Sequence, residues 1–240
     1  MNLFRELGAT WLDALALLSF LGGWIGYAAF AARHGRAVSS LHNRMDHFRR
    51  EWMVRMIERD NRMVDVGIMR VLTRSSQFFA STTMLVLGAL IALTGYIQQA
   101  LDVVSGLPFT VKGSARLLEV KILLLVVIFT YAFFKFSWAM RQLGQAATLI
   151  GAAPAKPTGS AEQHAPVINR IARIASYAGT NFNNGLRAYY FGLAALAWFL
   201  HPWLMIGATA WVIYVLYARE FRSKTLNALI EDDASDRLRT

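Results

Sequence analysis

The chain has 240 residues, 55 % of them hydrophobic, with no cysteine and a formal net charge of +10. That apolar content, with a mean hydropathy of +0.36, excludes an ordinary soluble domain, and the lack of cysteine excludes disulfides and thiolate chemistry. The positive charge is clustered, and neither zinc-ligand spacing nor a basic–aromatic strand pattern accompanies it, which argues against a nucleic-acid partner.

Residues 1–10 are a short polar start. Residues 14–32 follow as nineteen positions without a charge, long enough to cross roughly 30 Å of hydrocarbon, so 1–32 is read as an N-terminal span. Ala29-Phe30-Ala31 resembles a signal-peptidase site. The apolar run is long for a signal peptide, however, Glu6 offsets Arg5, and Arg33 and Arg36 follow as a stop-transfer flank, so an uncleaved span is expected. Gly22 and Gly26 form a small-xxx-small pair, with Ser19 and Gly23 one step round, a ridge suited to close helix packing.

Residues 33–74 hold ten arginines and five acids. Leu41, Met45, Phe48, Trp52, Met56 and Met63 recur on one helical face, and Asp46–Arg50, Glu51–Arg55 and Glu58–Arg62 place an acid four residues before a base. A long cytoplasmic amphipathic helix is expected over 33–77. Its apolar face either lies in the headgroup zone, where anionic lipid attracts each base by about 1 kcal/mol, or packs on the protein's own helices. His42, Asp46 and His47 lack the further convergent ligands that a metal needs and read as a solvated face.

Residues 75–101 carry no charge, and the second span is placed at 78–97. Ser81 and Thr82 near its start are candidate intramembrane polar groups, which otherwise back-bond to carbonyls one turn earlier, as Thr83 would. Residues 98–115 read as a short loop. The third span, 117–136, has Glu119 and Lys121 in its first turns and Lys135 near its end. Glu119 is the candidate functional group there, with Arg116 as its better partner, while Lys135 can snorkel. Residues 78–140 thus hold the second and third spans, and 141–187 a cytoplasmic linker (151–166, proline-rich) and a helix from 167 that ends near 181–185.

Residues 188–218 lack Asp, Glu, Lys and Arg but contain His201-Pro202-Trp203. They form either one kinked helix or a hairpin turning at His201-Pro202. The positive-inside rule favours the hairpin, because Arg219, Arg222 and Lys224 then share a side with 33–74 and 135–187. The expected fold is all-α and polytopic, with five spans, N-terminus outside and a cytoplasmic tail at 219–240. Four spans plus a kinked helix is the alternative. His201 is read as an interfacial group beside Trp203.

No nucleophile elbow, Walker or zinc-protease motif occurs, so no catalytic residue, metal or cofactor is expected. Two stretches are unusually polar for their position: Arg59-Asp60-Asn61-Arg62 with Asp65, and Asn181–Asn184 with Arg187, Tyr189 and Tyr190. Brought together, they would make a basic, amide-rich pocket for a phosphate or carboxylate headgroup; held apart, they cap helices and pair charges.

The same stretches carry a resemblance. Residues 58–65 (ERDNRMVD), 76–82 (SQFFAST), 184–190 (NGLRAYY) running into 197–203 (AWFLHPW), and 219–223 (REFRS) resemble the bacterial membrane family catalogued as domain of unknown function 599. The likeness runs from the first span to about Leu229, and its most specific part is the Tyr-Tyr-Phe to His-Pro-Trp run. It implies a multi-pass protein of the cytoplasmic membrane and no assigned activity. The expected role is that of a non-enzymatic, homo-oligomeric pore-like or scaffold protein in contact with anionic lipid. The alternative is a lipid-active carrier or enzyme that grips an anionic headgroup at the cytoplasmic face.

Overall fold

The computed structural model describes residues 9–37, 40–106, 114–154 and 161–229, and among them every regular element is helical. In chain order these are α1 (Trp11–Ala37), α2 (Leu41–Glu58), α3 (Met63–Thr94), α4 (Ile97–Ser105), α5 (Ala115–Ala152), α6 (Ala161–Leu196), a 3-10 turn (Ala197–Phe199) and α7 (Pro202–Phe221). Four helical segments are long and apolar enough to cross a membrane: Trp11–Arg33, Met63–Thr94, Ala115–Ala152 and Pro202–Leu229. The described residues thus form an all-helical chain with four candidate membrane-spanning helices. The contacts divide it into two compact units.

The first unit takes the described residues of Met1–His34, Thr82–Phe133 and Leu186–Ala218. Thr10 and Asp13 start α1 with a reciprocal cap: Thr10 N donates to Asp13 Oδ2 at 2.8 Å, and Asp13 N to Thr10 Oγ1 at 3.4 Å. Phe20 and Trp24 of α1 pack on Phe191 of α6, with ring centroids 5.8 and 5.6 Å apart. Trp198 at the end of α6 bonds Asp13 at the start of α1, so these two helices run antiparallel. Gly23 lies against Thr209 and Ile213 of α7, and Phe30 lies against Tyr217, so α1 and α7 run parallel. The chain therefore reverses direction between α6 and α7, at His201–Pro202. His201 Nδ1 accepts from Trp203 N at 3.1 Å, which caps the first turn of α7.

The second unit takes the described residues of Gly35–Ser81, Phe134–Gly185 and Arg219–Thr240. Its core joins Met53, Met56 and Ile57 of α2, Met69 of α3, Leu143, Ala146 and Ile150 of α5, and Ile168, Ile171, Ala172 and Ala178 of α6. Beside it Phe79 stacks on Phe136 at 5.2 Å, and Phe182 meets both rings edge-on at 5.7 and 5.5 Å. A Cβ on Gly185 would come within 2.7 Å of the Phe136 ring. Gly185→Ala is expected to destabilise the chain by about 1–3 kcal/mol, read as a lowered melting temperature; an unchanged melt would mean that the ring moves freely.

Four sequence expectations change here. The single helix over 33–74 is divided among the end of α1, α2 and the start of α3. Ser40 Oγ accepts from Asn43 N, and Asn61 Oδ1 accepts from Met63 N at 2.9 Å, so two caps interrupt the apolar rhythm. Met56 is buried and Trp52 half-buried, whereas Met45 and Met63 are exposed; the α2 face is spent on the protein's own core. The loop expected over 98–115 contains α4, and residues 107–113 lie outside the described ones. The helix expected to end at 181–185 runs through to Leu196, because Asn181 bonds back to Tyr177 O and Gly185 serves a close approach. Much of the expected linker is helical too: α5 reaches Ala152 and α6 starts at Ala161, with Pro166 inside it, and residues 155–160 lie outside the described ones.

Candidate functional site

At the junction of α2 and α3, Asp65 is fully buried. Its Oδ1 accepts from Trp52 Nε1 at 2.6 Å and from Arg59 Nη1 at 2.9 Å. Its Oδ2 has no partner among the described residues, and neither has the buried His164 Nε2. Arg62 turns the other way: its Nη1 donates to Ile150 O at 3.0 Å and Ala153 O at 2.8 Å, and its Nη2 to Pro154 O. One guanidinium thus holds three carbonyls at the end of α5, where cations are favoured by the free carbonyls and the helix dipole. Asp60 and Asn61 are exposed.

Further along the second unit, Asn181 Nδ2 donates to Gln142 Oε1 at 2.9 Å and Lys135 Nζ to Asn181 Oδ1 at 3.2 Å. Lys135, Trp138, Arg141 and Asn181 line an open groove of about 910 Å³. On α2, His42 Nε2 lies 3.0 Å from Thr180 Oγ1 and 3.7 Å from Asp46, a pairing among helices.

In the first unit, the Arg187 guanidinium sits 5.5 Å from the centre of the Tyr27 ring. The Tyr189 hydroxyl meets Thr83 Oγ1 at 2.8 Å, and Tyr190 is half-buried. The Arg59–Asp65 stretch and Asn184 belong to the second unit, and Arg187, Tyr189 and Tyr190 to the first. Ser81 and Glu119 are exposed and Thr82 half-buried; their neighbours Thr83 and Lys121 are the buried ones. Gly23 makes the close helix contact, whereas a Cβ at Gly22 or Gly26 would meet open space. These two line an apolar groove of about 540 Å³ with Ala210, Tyr214 and Tyr217.

Two further buried charges lie far apart in the sequence. Asp13 and Lys121 are 5 % and 9 % exposed, and both hold Trp198. Trp198 Nε1 donates to Asp13 Oδ1 at 2.8 Å, and Lys121 Nζ donates to Trp198 O at 2.8 Å while standing 5.3 Å from the centre of its ring. The available signals were local: an acid three residues after Thr10, and a lysine set among Val120, Ile122 and Leu123. Their partnership depends on a contact 185 residues away, which no spacing rule reaches.

A family model described as "Protein of unknown function, DUF599" matches residues 15–225. No curated protein and no solved structure matches the chain.

Proposed function

We propose that this chain, which belongs to the DUF599 family of proteins of unknown function, is a non-enzymatic, homo-oligomeric scaffold of the bacterial inner membrane. In this reading the chain passes the bilayer five times, with the N-terminus outside and residues 33–77, 141–187 and 219–240 on the cytoplasmic side. The arginines on α2 and at the start of α3 support that orientation.

One observation carries the self-association. Val64, Ile68, Val71, Ser75 and Phe78 follow one another at alternating steps of four and three along α3, the spacing of a coiled-coil seam. The four apolar members are 63, 38, 65 and 64 % exposed, and Arg70 and Arg74 beside them are exposed as well. Val64, Ile68 and Val71 precede the second span as placed at 78–97; on the cytoplasmic side water would meet them, and burial against a second copy contributes about 1.5–3 kcal/mol for each side chain fully covered. The open Gly22–Gly26 groove offers a second contact of the same kind within the bilayer.

Native mass spectrometry of the detergent-released protein tests this. A single discrete oligomer is expected, and Val64→Glu with Val71→Glu should yield monomers of unchanged helix content. Gly22→Ile with Gly26→Ile should weaken the same assembly. A monomeric wild type, or an unchanged oligomer in the α3 variant, would sink the proposal. The lipid-active reading is favoured by the basic groove of Lys135 and Arg141. It gains if the same spectra show one anionic lipid at fixed stoichiometry that Lys135→Gln with Arg141→Gln releases, and loses if no lipid is retained.

A further inference from the structure

Among the four helices of the second unit lies a smaller and more enclosed cavity of about 180 Å³, separate from the groove of Lys135 and Arg141. Its polar lining comes from three helices: Arg49 on α2, Ser75 and Ser76 on α3, and Asn183 on α6; Leu143 of α5 closes an apolar wall. We infer that this cavity binds a small oxyanion, a phosphate or carboxylate group, with Arg49 as its principal contact.

Arg49 reaches the cavity because α6 has a glycine where it passes. A Cβ on Gly179 would stand 2.6 Å from Nη2 and 2.9 Å from Cζ of Arg49, so any side chain there would push the guanidinium aside. The opposite edge is fixed by Asp46, whose Oδ1 accepts from Nη1 at 2.6 Å. A guanidinium has five donors in a rigid fork, and this one is drawn in, with its side chain 18 % exposed. A fork that lines a cavity while one of its nitrogens is held by Asp46 is matched best by a two-oxygen face.

The other lining groups fit the same class of ligand. Ser75 Oγ and Ser76 Oγ donate to Val71 O and Leu72 O at 3.1 and 3.3 Å. Those carbonyls already serve the helix ladder, so either hydroxyl can turn to donate into the cavity. Asn183 adds an amide at the exposed mouth. The only carboxylate at the guanidinium is Asp46 among the described residues; it is 36 % exposed and also lies 3.7 Å from His42 Nε2, so its charge is shared with water and a second partner. The size selects too: the cavity is smaller than the roughly 300–1,000 Å³ that holds a drug-sized ligand, so a phosphate-sized group enters and a nucleotide does not.

The oxyanion has two possible sources, free phosphate or the headgroup of an anionic lipid, and one experiment separates them. The full chain is placed in nanodiscs of phosphatidylcholine and titrated calorimetrically with inorganic phosphate. Binding is expected with a dissociation constant of about 1 mM or tighter, weakened about tenfold or more in Arg49→Gln. Gly179→Ala should weaken it similarly by displacing the guanidinium, and Ser76→Ala provides a variant that leaves Arg49 in place. Arg55→Gln, which removes an exposed partner of Glu51, should bind as the wild type does. In a second arm, phosphatidylglycerol is added to the discs and retained lipid is weighed by native mass spectrometry. Lipid held by the wild type and released by Arg49→Gln assigns the headgroup as the source, and phosphate binding in phosphatidylcholine alone assigns the free anion. The inference fails if the wild type binds neither probe, or if folded Arg49→Gln and Gly179→Ala bind both as the wild type does. Since oligomer mass is not the readout, failure here leaves the scaffold proposal untouched, and the reverse holds as well.

Discussion

Asp65→Ala is expected to cost the second unit about 3–5 kcal/mol. Asp65 has a side chain with no exposure and joins two elements: Trp52 near the middle of α2 and Arg59 just past its end. Truncation would leave an indole N–H and a guanidinium without their acceptor, and the guanidinium side chain is only 39 % exposed. Unmade bonds of this kind cost more than made ones contribute. Asp65→Asn keeps an acceptor oxygen and should lose less. Arg59→Met combined with Asp65→Ala should recover part of the loss, since the charge left behind is then gone. Trp52 fluorescence during thermal or denaturant unfolding of the full chain reports the outcome; a variant that melts with the wild type would show that the buried carboxylate does not hold α2 to α3.

Lys121→Met is expected to be nearly as damaging in the first unit, about 3–5 kcal/mol if Asp13 remains ionised. The lysine and the aspartate interact electrostatically and grip opposite ends of one residue, the carbonyl and the indole N–H of Trp198. Removing the ammonium leaves a buried carboxylate without its counter-charge. Asp13→Asn together with Lys121→Met should therefore be milder than the sum of the two single variants, with a coupling of at least about 1 kcal/mol. Melting the three variants in detergent completes the cycle, and strictly additive losses would mean that the two charges act independently.

The helical class and the family were both readable along the chain, because they rest on apolar runs and local motifs. The division of residues 33–74 was not read, although Ser40 and Asn61 are ordinary cap residues, because the apolar rhythm runs across the gap between them. Asn181–Gly185 looked like a helix end for the opposite reason. Amides and glycine usually stop a helix, but here Asn181 returns a bond to its own helix and Gly185 makes room for Phe136. Similar adjacency misplaced the buried polar groups by one or two positions. Glu119 and Lys121, or Thr82 and Thr83, differ only in which side of a helix meets a neighbour, and that neighbour lies far along the chain. Arg49 drew no notice as one arginine among ten, since its distinction is the glycine opposite it on α6.

The bond from Trp198 to Asp13 also fixes an order of events. Its ends are 185 residues apart, and the α1 contacts to Phe191 and Tyr217 are comparably remote in sequence, whereas Trp24 meets the nearer Tyr131 of α5 at 5.8 Å. A ribosome adding about 5–20 residues per second needs on the order of ten seconds to travel from one end of that bond to the other. α1 can therefore meet Tyr131 of α5 first, and it waits for α6 and α7 before the rest of its aromatic face is covered and Trp198 reaches its acid.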